Sequence, residues 1–429
     1  MNFKDTEVAR LGSCEIDTPL DIPMFINENE RVVVSVDYGI IEKGFKSEGM
    51  SPSFVNAGPR KKIFFSAKDT TAAILTCGGL SPGINNVVKS IVSQLYFQYN
   101  VKKIYGVRYG YEGLIPSYGH ELVKLVPEDI DDIHEKGGSV LASSRGMQKV
   151  PDMVDFLEKN KIDILFAIGG DGTLTGANAI FGEVTRRRLK IAIVGVPKTI
   201  DNDIMYVDRT FGFTTAVSYA TNAVKAAHTE AKGARNGIGL VKVMGRDSGF
   251  IASYAALASN DVNYVFIPEV SFAINGEKGF LEHLHKRLKM RSHAVVLVAE
   301  GAGQEYFSGT KQHDASGNIK YGDFGIFMRE TITDYFKKKD FHINLKYIDP
   351  SYIIRSMPAS ADDAVFCIML AQNAVHGAMA GMTGMFVGRV NKFFTFIPIK
   401  LVIGKRKKID PNGYLWSIVK AATGQPDFV

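Results

Sequence analysis

Short apolar runs alternate with longer helical stretches from Thr71 onward, and this alternation constrains the fold more than any other feature of the chain. The runs that we interpret as buried strands span residues 72–76, 162–168, 191–196, 239–244 and 294–299. Their length and apolar character are typical of strands covered on both sides. The repeated order of strand, loop and helix predicts an α/β fold of mostly parallel sheets with helices on both faces. Ligands bind such sheets at the carboxyl ends of the strands, so the segments after the strands are the candidate sites.

Composition places the chain among globular proteins and excludes several other classes. With 429 residues, of which 45% are hydrophobic and 22% charged, it is long enough for two α/β lobes. No apolar run approaches the roughly 20 residues of a membrane span, and the N-terminus lacks an apolar signal segment. Three cysteines far apart in the chain do not suit a disulfide framework or a zinc cluster. We therefore expect a cytoplasmic protein.

The net charge of +6 at pH 7 is modest for a chain of this size. Short basic runs at 186–188, 337–339 and 405–408 are interpreted as solvated helix ends and loops, because no nucleic-acid motif or aromatic interleaving accompanies them. We expect no nucleic-acid partner and no membrane partner. An anionic small molecule is the partner that surplus positive charge near a site would suit.

Residues 1–69 differ from the regular pattern that follows. They hold scattered apolar residues, a strand-like run at 31–36 and a turn-rich stretch around 51–60. We expect them to form an N-terminal extension that lies on the main body instead of a separate domain.

The segment 77–83, Cys-Gly-Gly-Leu-Ser-Pro-Gly, follows the run 72–76 and precedes a helix predicted to begin at Ile84. Glycines at this point would let backbone N–H groups approach a phosphate, and the helix N-terminus adds positive potential. A tight turn between strand and helix explains the segment equally well. It indicates a phosphate site only together with other motifs.

The segment 169–173, Gly-Gly-Asp-Gly-Thr, follows the run 162–168. An aspartate between glycines at a strand end can reach a magnesium ion while bare backbone lies against phosphates. A buried, unpaired Asp171 would be costly, so a cation or solvent must face it. This pattern favours a metal and phosphate site over a structural turn.

The segment 197–203, Pro-Lys-Thr-Ile-Asp-Asn-Asp, follows the run 191–196. Asp201 and Asp203 are two residues apart, so on an extended segment their carboxylates would point the same way. One carboxylate can accept a proton from a substrate hydroxyl while the other positions that hydroxyl or a metal. Lys198 offers an ammonium group to a transferring phosphoryl group, and Thr199 offers a hydroxyl. A turn rich in Asp and Asn is the alternative, but so dense an array favours a catalytic site.

Three arginines lie in further candidate segments. Arg246 stands in 244–249, Met-Gly-Arg-Asp-Ser-Gly, after the run 239–244, where it can bind phosphate or stabilise developing charge. Arg145 ends the run Leu-Ala-Ser-Ser-Arg before Gly146, and Arg355 ends Asp-Pro-Ser-Tyr-Ile-Ile-Arg. Each arginine alone is more often a surface ion-pair partner, but together they suggest two anionic groups in one cleft.

The order and spacing of these segments resemble the phosphofructokinase family. The combination of Gly-Gly-Asp-Gly-Thr, Pro-Lys-Thr-Ile-Asp-Asn-Asp and Met-Gly-Arg is highly specific, and the resemblance covers about residues 57–429. Ala-Gly-Pro-Arg at 57–60, Gly-Tyr-Leu-Trp at 413–416 and Thr-Gly-Gln-Pro at 423–426 point to the long group II branch. The resemblance implies a nucleotide-binding lobe of 70–212 and 354–405, and a sugar-phosphate-binding lobe of 213–353 and 406–429. It also implies a homo-oligomer, a dimer or tetramer.

The same resemblance implies a role for each matching residue. The reaction would transfer the γ-phosphoryl group of ATP to the 1-hydroxyl of fructose 6-phosphate, with Asp201 as general base. Asp171 would hold Mg²⁺, and Lys198, Thr199, Asp203 and Arg246 would assist catalysis. The residues that would line the nucleotide phosphates are Gly79, Arg145, Gly146, Gly170, Asp171, Gly172 and Thr173. The residues that would meet the sugar phosphate are Thr199, Ile200, Asp201, Met244, Gly245, Arg246, Glu300, Tyr352, Ile353, Ile354 and Arg355.

The identity of the phosphoryl donor depends on Gly172 and Lys198. Pyrophosphate-dependent members typically carry aspartate at the position of Gly172, where its carboxylate would crowd and repel the α-phosphate of ATP. Lys198 is the residue that pyrophosphate enzymes carry. The pairing of Gly172 with Lys198 resembles the ATP-dependent enzymes of trypanosomatids and plants, so we expect ATP, with a pyrophosphate-dependent enzyme as the alternative.

Other classes fit the sequence less well. NAD kinases and lipid kinases share the Gly-Gly-Asp-Gly-Thr element but lack the segment 197–203 seen here. A non-catalytic regulatory subunit would have lost the base or the metal ligand, whereas Asp171, Asp201, Asp203 and Arg246 are all present. A nicotinamide-dependent oxidoreductase would carry a Gly-x-Gly-x-x-Gly fingerprint after the first strand, which is not found after residues 72–76.

Overall fold

The computed structural model describes residues 3–307 and 321–428. Its strands are β1 (Ala9–Arg10), β2 (Ile16–Asp17), β3 (Arg31–Val33), β4 (Ser53–Asn56), β5 (Lys62–Ile63), β6 (Thr71–Thr76), β7 (Lys103–Val107), β8 (Leu122–Lys124), β9 (Ile164–Gly169), β10 (Ala192–Pro197), β11 (Gly237–Val243), β12 (Tyr264–Phe266), β13 (His293–Ala299), β14 (Asn344–Ile348), β15 (Met382–Thr383), β16 (Met385–Val390) and β17 (Phe393–Pro398). Its α-helices are α1 (Tyr38–Glu48), α2 (Ile84–Ser93), α3 (Val150–Lys159), α4 (Asp171–Arg186), α5 (Phe213–Gly233), α6 (Phe250–Ser259), α7 (Phe280–Arg291), α8 (Phe324–Lys338), α9 (Ser351–Ser356), α10 (Ala361–Met379) and α11 (Tyr414–Thr423).

Backbone packing divides the described residues between two compact units. Unit 1 contains the described residues of Met1–Thr199, Ile204–Gly212 and Ser356–Lys405. Unit 2 contains the described residues of Ile200–Asp203, Phe213–Arg355 and Arg406–Val429. The predicted lobe 213–353 includes residues 308–320, which lie outside the described residues.

Within the described residues, a nine-stranded sheet lies in unit 1, in the order β3-β4-β17-β16-β10-β9-β6-β7-β8. The central strands β16, β10, β9, β6 and β7 are parallel, and the outer strands pair antiparallel. Successive side chains of a strand point to opposite faces. Ala72 and Ile74 of β6 therefore pack with α2 and α10, whereas Ala73 and Leu75 pack with α3 and α4. The strands predicted at 72–76, 162–168 and 191–196 are confirmed as β6, β9 and β10.

Unit 2 contains a parallel sheet that, within the described residues, has the order β12-β13-β11-β14. Val241 and Val243 of β11 pack against α5, α6 and α11, and Ile238 and Leu240 pack against α7 and α8. The strands predicted at 239–244 and 294–299 are confirmed as β11 and β13. Helices cover both faces of both sheets, as the alternating pattern predicts.

Residues before β6 extend the sheet of unit 1. The run predicted as a strand at 31–36 forms β3, which ends at Val33. The stretch interpreted as turn-rich around 51–60 contains a strand that the sequence does not predict, because Ser53–Asn56 form β4 between β3 and β17. Only two apolar residues stand between Pro52 and Asn56, so the sequence pattern is weak, but burial of Phe54 at 0% exposure and pairing on both sides stabilise the strand.

Two of the basic runs lie at helix ends, as expected. α4 ends at Arg186 and α8 ends at Lys338, where positive charge is favourable beside the last carbonyl groups. Among the residues that the structure describes, no helix combines the length and apolar character needed to cross a bilayer.

Candidate active site

The turn after β6 requires glycine at two positions. Gly78 has φ +83° and Gly83 has φ +97°, in the region that other residues rarely adopt. A Cβ atom at Gly83 would also lie 2.6 Å from Sγ of Cys367. α2 begins at Ile84 as predicted, so the turn brings backbone to the N-terminus of a ten-residue helix.

Two cationic side chains flank Gly79 in unit 1. The loop that carries Arg145 is joined to this turn, because the Gly78 N–H donates to the carbonyl of Ser144 at 3.0 Å. A Cβ atom at Gly79 would lie 3.5 Å from Nη2 of Arg145. The buried ammonium group of Lys198 donates to the carbonyl oxygen of Gly79. The structure thus brings together three residues predicted from separate segments, and their charges suit a phosphate.

The Gly-Gly-Asp-Gly-Thr segment forms the start of α4. Gly170 is its N-cap residue and Asp171 its first helical residue. Thr173 packs onto the preceding strand so closely that a Cβ atom at Gly169 would lie 2.0 Å from its Oγ1. A Cβ atom at Gly170 would lie 3.3 Å from the carbonyl oxygen of Lys198. The N–H groups of the first turn and the helix dipole make this terminus suitable for an anion.

The donor set at this terminus fits Mg²⁺ that arrives with a polyphosphate. In residues 3–307 and 321–428, no group of three or more His, Cys, Asp or Glu side chains is placed to hold a metal. Mg²⁺ is commonly bound by one or two carboxylates together with substrate phosphates, so Asp171 alone can serve as the protein ligand. Gly172 beside it is exposed, and a Cβ atom there would meet no described atom within 4 Å.

Asp201 lies in a turn of unit 2 among several charged groups. Burial, followed by the charges of Asp203 and Glu300, raises the pKa of its carboxyl to about 7, while the charges of Arg355 and Arg406 oppose the shift. The expectation of an extended segment is wrong, because Asn202 between the two aspartates is left-handed at φ +57°. Asparagine tolerates this conformation better than most residues, which lets the chain turn between the carboxylates.

The loops that follow β11 and β13 meet at one edge of the unit 2 sheet. The Glu300 N–H donates to the carbonyl of Val243 at 2.9 Å, and the Gly301 N–H donates to that of Gly245 at 3.3 Å. A Cβ atom at Gly301 would lie 1.7 Å from the carbonyl oxygen of Arg246, so only glycine fits. The predicted residues 244–246 and Glu300 are therefore neighbours.

The remaining predicted sugar-phosphate residues differ in exposure. Tyr352 is 83% exposed and Ile353 62% exposed on the short helix α9. Ile200, Met244 and Ile354 are buried in the apolar core of unit 2. Only the backbone atoms of these three residues could meet a ligand.

The basic run 405–408 is not a solvated loop throughout, and this expectation is wrong for Arg406 and Lys407. The Lys407 N–H donates to the carbonyl of Asp203 at 2.7 Å, and its ammonium group lies 3.3 Å from Oδ1 of Asn202. Arg406 pairs with Asp247, next to Arg246. Apart from the basic composition of the run, the sequence holds no signal for these contacts, which join residues about 160 to 205 positions apart.

Comparisons with known proteins agree with the motifs. The family model described as Phosphofructokinase matches residues 71–378. The chain is 49% identical to the ATP-dependent 6-phosphofructokinase of Borreliella burgdorferi, over 98% of this chain and 97% of that protein. It is 46% identical to the chloroplastic ATP-dependent 6-phosphofructokinase 5 of Arabidopsis thaliana, over 94% of this chain and 76% of that protein. Its fold is similar to a crystal structure of pyrophosphate-dependent phosphofructokinase from Nitrosospira multiformis, with a TM-score of 0.67 and 19% identity over 80% of this chain and 87% of that one.

Proposed function

Because the chain belongs to the phosphofructokinase family, we propose that it is an ATP-dependent 6-phosphofructokinase. The reaction transfers the γ-phosphoryl group of ATP to the 1-hydroxyl of fructose 6-phosphate and yields fructose 1,6-bisphosphate. The relatives named as ATP-dependent 6-phosphofructokinases support the proposal because they align with nearly the whole chain.

The nucleotide phosphates are assigned to unit 1 residues. Gly79, Arg145, Gly146 and Gly170 to Thr173 offer backbone N–H groups and one guanidinium, and Lys198 places a second cation beside Gly79. The open space beside Gly172 supports ATP, since the α-phosphate needs room that an aspartate would occupy. Mg²⁺ would be held by Asp171 with phosphate oxygens, and when bound it neutralises charge on the transferring group.

The environment of Asp201 is the observation that carries the proposal. A general base works best when its pKa lies near the operating pH, and burial together with Asp203 and Glu300 raises the pKa of Asp201 to about 7. Asp201 takes the proton of the 1-hydroxyl as that oxygen attacks the γ-phosphorus. Lys198 and Arg246 neutralise charge that develops on the phosphoryl oxygens, and Thr199 and Asp203 orient the reacting groups.

We propose a sugar-phosphate-binding lobe of 213–353 and 406–429 and a nucleotide-binding lobe of 70–212 and 354–405. Unit 2, to which the sugar phosphate is assigned, also includes Ile200–Asp203 and residues 354–355. Arg355 supplies positive charge for the 6-phosphate, and Arg246 contacts the sugar phosphate where the phosphoryl group is transferred. Tyr352 and Ile353 offer exposed side chains, and Glu300 accepts hydrogen bonds from sugar hydroxyls. We also propose a dimer or tetramer of identical chains, which light scattering on the purified protein tests. The cytoplasmic compartment stays a prediction from the sequence.

The proposal is tested by measuring formation of fructose 1,6-bisphosphate from fructose 6-phosphate with ATP and, in parallel, with pyrophosphate. We expect turnover with ATP, and a fall in kcat of about 10²- to 10⁴-fold in Asp201→Ser with sugar-phosphate binding retained. Asp334→Ser, an exposed aspartate of α8, is the matched control and should keep wild-type kcat. A kcat of Asp201→Ser near wild type would show that another group is the base. Faster turnover with pyrophosphate would reverse the donor assignment.

The donor assignment is tested further by Gly172→Asp. Because a Cβ atom fits at this position without contact, the variant should fold. At an effective dielectric near 20, two like charges about 5 Å apart repel by roughly 3 kcal/mol, which corresponds to about 100-fold in kcat/KM for ATP. We expect a much smaller loss with pyrophosphate, which has no α-phosphate in that space. Equal losses with both donors would contradict the role of Gly172.

A further inference from the structure

Asp247 lies between two side chains that no motif selects. Its Oδ1 accepts a hydrogen bond from the hydroxyl of Tyr321 at 2.5 Å, and its Oδ2 pairs with the guanidinium of Arg406. All three side chains are partly buried. A carboxylate that is bound through both oxygens in a partly buried place has little freedom to turn. Asp247 therefore fixes the position of the Tyr321 ring.

The Tyr321 ring in turn contacts Arg246. The guanidinium carbon of Arg246 lies 5.2 Å from the centroid of the ring, within the range of a cation–π contact. Arg246 also forms a side-chain hydrogen bond with Tyr321, so the ring and its hydroxyl together limit where the remaining N–H donors of the guanidinium can point. A ring in this place determines the direction in which Arg246 presents those donors.

The backbone segments that carry Asp247 and Arg406 are also joined through hydrogen bonds to Glu269. The Ile409 N–H donates to Oε1 of Glu269 at 2.9 Å, and the same carboxylate accepts from the Gly249 N–H at 3.0 Å. The segment with Arg406 and the segment with Asp247 are thereby held by one acidic side chain. The contacts of Arg406 are thus part of a connected set and do not depend on one exposed ion pair.

We propose that Tyr321 and Arg406, joined through Asp247, are positioning residues that hold Arg246 in the direction needed to bind fructose 6-phosphate. The inference rests on the proposed function, since it assigns these residues to the sugar-phosphate site. An arginine that is already oriented loses less conformational freedom when its ligand binds. Removing the support should therefore raise the KM for fructose 6-phosphate and leave the KM for ATP unchanged.

A second cluster, which also combines a tyrosine ring with a carboxylate and a cation, provides a matched control. On α7 and α8, the Tyr335 hydroxyl donates to Oε1 of Glu282 at 2.5 Å, and the ammonium of Lys339 lies 5.4 Å from the Tyr335 ring. Lys339 also pairs with Glu282 at 2.7 Å. This cluster repeats a cation, a tyrosine ring and a carboxylate but contains none of the predicted site residues. Tyr335→Leu reports what loss of such a cluster does to the fold alone.

The test compares Tyr321→Leu, Tyr321→Phe and Tyr335→Leu in steady-state assays with each substrate varied in turn. We expect Tyr321→Leu to raise the KM for fructose 6-phosphate by about 10-fold, Tyr321→Phe by less because the ring remains, and Tyr335→Leu by less than 2-fold. Arg406→Met should resemble Tyr321→Leu, and Arg406→Lys should recover part of the loss because the charge beside Asp247 is kept. Equal effects of Tyr321→Leu and Tyr335→Leu would overturn the inference.

A double-mutant cycle separates positioning of Arg246 from a general loss of packing. If Tyr321 acts through Arg246, Tyr321→Leu should add little to the KM of Arg246→Ala, whereas independent effects would multiply. Independent effects in an active enzyme would overturn the inference and leave the proposed function standing. A wild-type chain that phosphorylates no fructose 6-phosphate with either donor would overturn the proposed function and the inference with it.

Discussion

The raised pKa of Asp201 affects the stability of the fold as well as catalysis. Burial, the main cause, disfavours the ionised carboxyl, and the charges of Asp203 and Glu300 add to that effect against Arg355 and Arg406. In the unfolded chain the same carboxyl has its ordinary pKa near 3.8. The folded state therefore prefers the proton, and ionisation of Asp201 destabilises it. The environment that makes Asp201 suitable as a base at neutral pH therefore also makes its ionised form unfavourable for folding.

We expect Asp201→Asn to stabilise unit 2 at pH 8 and to have little effect at pH 4. Below the unfolded pKa both states are protonated, so the stabilising contribution of the proton is fully present. It is lost as pH rises through about 7, where the folded state also ionises. The gain at pH 8 should be of the order of 1–4 kcal/mol after allowance for partial exposure.

Thermal unfolding without ligands at the two pH values measures this difference. Asp334→Asn is the control, because its side chain is exposed on α8 and its replacement should shift the midpoint little at either pH. An Asp201→Asn midpoint below wild type at pH 8 would contradict the argument from burial.

At the residue scale, local motifs predict groups that are close in sequence but not those recruited from elsewhere. Asp171, Lys198, Asp201 and Arg246 stand in dense segments after strands, so each could be selected from the sequence. Tyr321 reaches Asp247 across 74 positions, and no feature of its own neighbours marks it. Its contact results from tertiary packing.

At the scale of elements, α4 contains glycines in contrasting environments. A Cβ atom at Gly176 would lie 2.5 Å from the ring of Tyr111, whereas one at Gly182 would meet no described atom within 4 Å. Tyr111 cannot move easily, because it is 3% exposed and its hydroxyl donates to the carbonyl of Thr173 at 2.6 Å. Gly176 therefore permits close packing, whereas Gly182 only gives the unfolded backbone more conformational freedom.

We expect Gly182→Ala to stabilise the protein by about 0.5–1 kcal/mol, because alanine favours a helix interior. Gly176→Ala should destabilise it by roughly 1–3 kcal/mol, since the added methyl overlaps a fixed ring. Urea unfolding followed by far-ultraviolet circular dichroism measures both midpoints. If both variants unfolded at the same urea concentration, the close approach of Tyr111 would not be significant for stability.

Buried apolar runs predict β6, β9, β10, β11 and β13, and a short strand-like run predicts β3, whereas the missed strands depend on tertiary pairing. β16 and β17 form a hairpin whose turn residues Asn391 and Lys392 have φ of +49° and +73°. Such turns usually carry glycine at the second position, so Asn-Lys gives a weak hairpin signal. Here the carboxylate of Asp208 accepts hydrogen bonds from both backbone N–H groups, at 3.0 and 2.8 Å. The side chain of Asp208, distant in sequence, therefore stabilises a turn that Asn391 and Lys392 alone would form poorly.

At the scale of the whole molecule, each unit has its own apolar core and one of them has its own fluorescent reporter. The single tryptophan of the chain, Trp416, is 2% exposed in the core of unit 2 with β11 and α5. Its emission should change when that core opens. Circular dichroism, in contrast, averages over the helices and strands of both units.

We expect fructose 6-phosphate to raise the temperature at which the Trp416 emission changes, because the sugar phosphate is assigned to unit 2. At 100 times its Kd a ligand stabilises the state it binds by about 2.7 kcal/mol, enough for a shift of several degrees. Fructose at the same concentration is the control, since it lacks the phosphate that Arg355 would bind. A fluorescence transition that fructose 6-phosphate leaves in place would contradict the assignment.

The core of each unit includes segments that are distant in sequence, and this affects how the protein folds during synthesis. Strand β16, which lies beside β10, and helix α10, which covers β6, are synthesised about 190 and 290 positions after those partners. Unit 2 likewise takes Ile409, Trp416 and Val419 into its core from the segment made after β17. On the ribosome, neither half can therefore close its interior early. Apolar surfaces of the nascent chain stay open to chaperones until translation has passed both late segments.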